Sequence, residues 1–126
     1  MIFKKGKKEQ LTKHFNLSEF ECKCNDQYCR ITIIDLRLTR SLEALRLLID
    51  QPMIVNSGYR CNSHNKAVGG TVDSRHLQGQ AADISTDTKS PEKITQFLRM
   101  AEILFGGIGT YKTFIHLDIR EKKTRW

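Results

Sequence analysis

Apolar residues between Thr32 and Asp50 recur at helical spacing: Ile33, Leu36, Leu42, Leu45, Leu48 and Ile49. Such a stripe predicts an amphipathic helix, and Gln51-Pro52 stops it. Met53 to Asn56 reads as a short strand. Residues 57–79 are loop-rich, punctuated by Gly58, Gly69, Gly70 and Gly79, and loops on a rigid scaffold commonly carry function. Gln80 to Ile84 reads as another short strand. Ser90-Pro91-Glu92 starts a second helix, with a serine cap and a proline in its first turn. That helix runs to Leu104 or Phe105, where Gly106-Gly107 ends it. Ile108 to Tyr111 and Phe114 to Arg120 then form a hairpin joined near Lys112-Thr113. In its second arm Ile115, Leu117 and Ile119 alternate with His116 and Asp118, so the two polar residues share the opposite face. The expected class is α+β, a small antiparallel sheet packed with two main helices.

A chain of 126 residues is one domain by size. It has no apolar run of membrane-spanning length and no apolar stretch after its basic start, so neither membrane insertion nor a signal peptide is expected. Residues 1–13 read as a loosely ordered basic arm, and the whole as a monomer. The formal charge is +7, with basic residues gathered at both ends. Such a charge favours anionic polymers. Nucleic acid is the obvious rival partner, yet the chain shows no recognition-helix motif, no aromatic stacking series and no zinc-finger spacing.

His76, Asp83 and His116 are the candidate metal ligands. Two histidines and a carboxylate close three sides of a zinc ion and leave the fourth for water, the pattern of catalytic rather than structural sites. His76 and Asp83 would lie roughly 23 Å apart on a straight strand and roughly 10 Å apart along one helix. The chain must therefore bend between them, and Gly79 is the natural place. The cysteines are Cys22, Cys24, Cys29 and Cys61. The spacing Cys-x-Cys-x4-Cys is not a standard zinc knuckle, so disulfides, a second metal site and reduced thiols all stay open.

The elements Ser57-Gly58-Tyr59-Arg60, His64-Asn65, Val68-Gly69-Gly70, Ser74-x-His76-x-x-Gly79-x-Ala81-x-Asp83 and Gly106-Gly107-Ile108-Gly109…His116-x-Asp118 together resemble the M15 metallopeptidases. The branch most similar is that of the zinc D-Ala-D-Ala carboxypeptidases, whose fold is shared with other DD-peptidases and with hedgehog domains. The resemblance implies Zn2+ on His76, Asp83 and His116. It makes Arg60 the arginine that engages substrate, with Ser74 supporting the metal loop. It also implies hydrolysis of peptidoglycan stem peptides, at a D-alanine bond as in a D,D-carboxypeptidase. An endopeptidase of the same family and a non-catalytic zinc-stabilised binding module are the alternatives. Several branches of the family carry an acidic base three residues before the last histidine; here that position is Thr113, which leaves Asp118 as the expected proton carrier or, as the alternative, a partner that orients a metal ligand. A leaderless basic wall peptidase also resembles a phage or prophage endolysin, cytoplasmic until released to the cell wall.

Overall fold

A computed structural model describes residues 1–126. The elements in order are β1 (Ile2–Lys4), β2 (Ile31–Ile33), α1 (Leu36–Ile49), β3 (Val55–Ser57), α2 (Asn62–Ala67), β4 (Ala81–Ser85), α3 (Pro91–Leu104), β5 (Gly107–Thr110), β6 (Phe114–Asp118) and β7 (Thr124–Arg125). Single 3-10 turns lie at Leu17–Phe20 and Arg75–Gln78. No helix is long and apolar enough to cross a membrane.

The main sheet has the order β3-β4-β6-β5-β7. Its pairings are antiparallel except for the edge strand β7, which runs parallel to β5. The α+β class and the two main helices are as the sequence pattern predicts. The register of the two central strands sorts their side chains onto two faces. Ala82 pairs with Leu117 and Ile84 with Ile115. These four are buried in one core with Leu38, Leu42, Leu45 and Ile49 of α1 and with Phe97 and Ala101 of α3. Asp83 pairs with His116 and Ala81 with Asp118. Alternation sends this second set to the opposite face, away from α1 and α3.

Three expectations need correction. The first helix begins at Leu36, because Ile31–Ile33 pairs antiparallel with β1 and Asp35 caps α1 by accepting from the Arg37 N–H. Its buried stripe is Leu38, Leu42, Leu45 and Ile49, spaced by four, three and four, so Leu48 falls off the stripe and is exposed. The basic arm of residues 1–13 is not loose: Ile2–Lys4 forms β1, Phe3 is in the core, and the terminal ammonium donates to the Ile34 carbonyl at 2.6 Å. The hydrophobic alternation there is too short to register as a strand on its own. The second helix starts as expected, with the Ser90 hydroxyl accepting from the Lys93 N–H and Pro91 in the first turn.

Gly79 makes the bend required between His76 and Asp83. It has φ +67°, and a Cβ there would lie 2.2 Å from the Ile33 carbonyl oxygen. Gly79→Ala meets both a left-handed conformation and a backbone clash, so it is expected to cost about 1–3 kcal/mol or more. Thermal unfolding of the variant, with a lowered Tm, checks this.

Candidate metal centre

The bend at Gly79 and the register of β4 with β6 bring the three expected ligands together. The Arg75–Gln78 turn carries His76, and the Ser74 hydroxyl accepts from its backbone N–H at 3.3 Å. The Arg60 N–H donates to the His76 carbonyl at 3.1 Å, tying that turn to the segment after β3. Nε2 of His76 lies 3.2 Å from Oδ1 of Asp83, and Nδ1 of His116 lies 3.1 Å from the same oxygen. All three residues are buried.

Those separations fit a shared ion. Nitrogen and oxygen donors about 2.0–2.1 Å from zinc in a tetrahedron stand roughly 3.3 Å from one another. The far sides of the rings point the same way. Nδ1 of His76 donates to the Gly58 carbonyl at 2.7 Å, which leaves an electron pair on Nε2 facing the Asp83 carboxylate. His116 has a carboxylate against each nitrogen, with Nε2 2.7 Å from Oδ2 of Asp118. Electron pairs meet carboxylate oxygen at the centre of this cluster, so a proton or a metal cation must lie between them. Histidine ligands commonly have such carboxylate or carbonyl partners behind them, which fix the ring and its tautomer.

Burial opposes the ionisation of Asp83, but hydrogen bonds with His116 and His76 outweigh it and hold the carboxyl well below the usual carboxylate range. Burial would likewise push the His116 pKa down. Its hydrogen bonds to Asp118 and Asp83 prevail and raise it.

The centre opens onto a cavity of about 710 Å³ lined by Arg60, Asp73, Arg75, Tyr111, Arg120 and Trp126 among others. Arg60 reaches it, yet is not a free rim arginine. Its Nε donates to the Ser57 hydroxyl at 3.0 Å, one terminal nitrogen to Oδ1 of Asn65 at 3.3 Å, and the other to Oδ2 of Asp83 at 3.0 Å. Asp118 does not line the cavity and is fully buried. The Arg120 guanidinium grips it with two hydrogen bonds of 2.8 and 2.7 Å, the Arg120 backbone N–H donates a third at 3.1 Å, and Nε2 of His116 meets Oδ2. Burial would raise its pKa, but the His116 and Arg120 bonds hold it well below the usual range. Gly107 pairs with Asp118 across the sheet, and a Cβ there would lie 2.2 Å from Oδ1. Thr113 is not among the cavity residues.

Sequence reasoning missed Arg120 and Trp126 as parts of this site, and it named Asn65 within the family resemblance without giving it a role. The Trp126 ring centroid lies 5.1 Å from that of His116 and 5.0 Å from the Arg120 guanidinium carbon, and its Nε1–H donates to the Tyr111 hydroxyl at 2.8 Å. Arg120 was detectable, because it stands two residues beyond Asp118 in the alternating run. The tryptophan carried no such signal.

Comparison with known proteins shows the family. A family model described as Peptidase M15 matches residues 13–118, most of the chain. The chain belongs to the peptidase M15 family. It is also similar to the zinc D-Ala-D-Ala carboxypeptidase of Streptomyces albus G, 34% identical over 80 residues. That match covers 60% of this chain but 31% of the relative, so this M15 chain spans about a third of the relative's length.

The raised pKa of His116 sets the pH response of the metal-free M15 site. A histidine raised on folding contributes stability that is complete below its unfolded pKa of about 6.5 and is lost as pH climbs through the folded value. Within the centre the depressed Asp83 and Asp118 titrate only in acid, so the histidine governs this neutral window there; elsewhere His64, lowered by burial, and Cys61, lowered to about 7, act in the opposite sense. Metal binding needs the neutral ring and runs the other way. Divalent-ion affinity is expected to rise with pH through and above that window, while the Tm difference between the metal-free protein and its His116→Ala variant falls. Calorimetric titration and thermal melts at several pH values check both slopes.

Proposed function

We propose that this chain is a zinc-dependent peptidase that hydrolyses peptidoglycan stem peptides at a D-alanine bond, as a D,D-carboxypeptidase does. The observation that carries the reading is the convergence of His76, Asp83 and His116 on one point beside a broad polar cavity. Three protein donors without thiolate, and a side open to solvent and substrate, are what a catalytic zinc takes. The name of the carboxypeptidase relative and the family match support the substrate class. The charge of +7 suits an anionic wall polymer. The strands at both ends support one catalytic unit spanning residues 1–126.

The bound ion would polarise a scissile carbonyl and bring the pKa of water towards neutrality. The side chains supply the rest. His76 and His116 present fixed nitrogens because Gly58 and Asp118 hold their other sides. Asp83 offers one oxygen to the centre and gives the other to Arg60. Three of the five guanidinium N–H groups of Arg60 are used in this frame, which leaves two for a substrate carbonyl or carboxylate.

Of the two parts the sequence left open for Asp118, its surroundings favour the partner of a ligand over the proton carrier. A proton acceptor must reach the proton it takes and needs a pKa suited to the task. Asp118 is enclosed, doubly held by Arg120 and strongly acidic. It orients His116. Ser74 supports the His76 turn through the backbone and not the ring.

Asp118→Asn is therefore expected to weaken zinc binding about 10- to 100-fold while retaining most of kcat at saturating zinc. A kcat that stays low when the metal site is full would return Asp118 to the role of proton carrier. Zinc titration followed by steady-state kinetics separates the two.

The function itself is tested by mass spectrometry of purified peptidoglycan treated with the zinc-loaded protein or with His116→Ala. Loss of a terminal alanine with the intact protein, and none with the variant, is expected. Internal cuts would make it an endopeptidase. Tight zinc with no release from several wall types would leave a binding module, the reading favoured by the engaged state of Asp118.

A further inference from the structure

The four cysteines form a cluster separate from the His76, Asp83 and His116 centre, and the function above makes no use of it. Cys22, Cys24 and Cys29 come from the segment between the Leu17–Phe20 turn and β2; Cys61 immediately precedes α2. Their sulfur atoms all lie within 4.8 Å of one another. The Cys22 and Cys61 sulfurs are 3.7 Å apart, and those of Cys61 and Cys24 are 3.8 Å apart.

We propose that Cys22, Cys24, Cys29 and Cys61 bind a structural zinc ion as a tetrathiolate site. The first argument is metric. Four sulfurs placed about 2.3 Å from zinc at the corners of a tetrahedron stand roughly 3.8 Å from each other. The two short separations match that edge. A disulfide needs about 2.05 Å, and Cys61 stands almost equally close to Cys22 and Cys24, so neither is singled out as its covalent partner.

The second argument concerns what else could shape this segment. From Glu21 to Arg30 there is no helix or strand, and Cys22 is the one buried side chain. Lys23, Asn25, Asp26, Gln27 and Tyr28 are exposed, with Tyr28 at 78%. Within the segment the turn rests on the Cys29 N–H donating to the Asp26 carbonyl and the Tyr28 N–H donating to the Asp26 side chain. Hydrophobic burial does not account for a fixed loop of this composition. Small metal-bound units obtain their folding free energy from the ion.

The third argument is the surroundings. The Cys61 N–H points at the Cys22 sulfur at 3.4 Å, and the Ser63 hydroxyl lies 3.4 Å from the Cys61 sulfur. Nζ of Lys5 lies 3.9 Å from the Cys24 sulfur and 4.0 Å from that of Cys29. When four thiols release their protons to solvent and take one dication, the cluster is doubly negative. An ammonium, a backbone N–H and a hydroxyl are the groups that offset such charge and tune a metal site from outside. Lys5 follows β1 directly and its N–H donates to the Arg30 carbonyl, so the basic N-terminal strand is held in place to serve here.

The site would also reach the peptidase centre through the chain. Cys61 is next to Arg60, so an ion gripping Cys61 fixes the backbone from which the Arg60 guanidinium extends towards Asp83.

The experiment is metal analysis of the purified chain and of two double variants. Two zinc ions per chain are expected in the unaltered protein. His76→Ala/His116→Ala should retain one, and its cobalt-exchanged form should show intense thiolate-to-metal charge-transfer absorption in the near ultraviolet. Cys24→Ser/Cys29→Ser should also retain one, without that absorption and with a lowered Tm. Should the cysteine variant fail to fold, the histidine variant decides alone. Four readily titrated thiols with no metal in the histidine variant, a disulfide in its mass spectrum, or iron in place of zinc would each overturn the proposal. Because the histidine variant removes only the other centre, failure here is distinguishable from failure of the peptidase reading.

Discussion

The carboxylate of Asp83 is the constraint on which the rest of this structure depends. One oxygen faces both histidines and the other faces Arg60, and the residue is 5% exposed. A buried carboxylate is tolerated only when its lone pairs are matched by cations or donors. Each of its partners comes from a different part of the fold. His116 is its cross-strand neighbour, His76 lies one tight bend upstream, and Arg60 follows β3. Any register slip between β4 and β6 would move Asp83 into the helix-facing core. The hydrophobic pairs Ala82–Leu117 and Ile84–Ile115 thus fix the polar site from the opposite side of the same strands.

Support for the centre is layered outward. Gly58 and Asp118 hold the histidines, Arg120 holds Asp118, and Ser57 and Asn65 hold Arg60. Such a frame lets the donors face one another at close range without collapse. It also explains why the site draws on small residues: Gly107 leaves the volume that the Asp118 carboxylate fills.

Much of this was legible in the sequence, for physical reasons that can be named. His116 and Asp118 stand in an alternating run long enough to show its two faces. Gly79 was the residue able to turn the chain back, and Ser90-Pro91 announced α3. What escaped was set by partners distant in the chain. Residues 2–4 become a strand only because residues 31–33 lie beside them, and the two-residue β7 exists only against β5. The true start of α1 depended on Asp35 acting as a cap, while Ile33 kept the apolar spacing going backwards. Position alone left Asp118 between proton carrier and partner of His116, and Arg120 decides between them. A link from the upstream cysteines to Cys61 could be imagined from the sequence, but how the four sulfurs meet is a product of tertiary structure.

The charges around the cavity balance without a metal. Arg60 and Arg120 are each matched by a carboxylate, Asp83 and Asp118, while Arg75 pairs with the amide of Gln80 and the carboxylate of Asp73 lines the same recess. A dication bound between His76 and His116 would tip that balance to positive. Field lines from charges in a concave, low-dielectric recess are focused outward through its mouth. With the dication in place, anionic groups would be drawn in before they touch any side chain, and cationic ones turned aside. The pull fades over a Debye length of about 8 Å at physiological salt, so the recess selects by encounter rate as well as by fit.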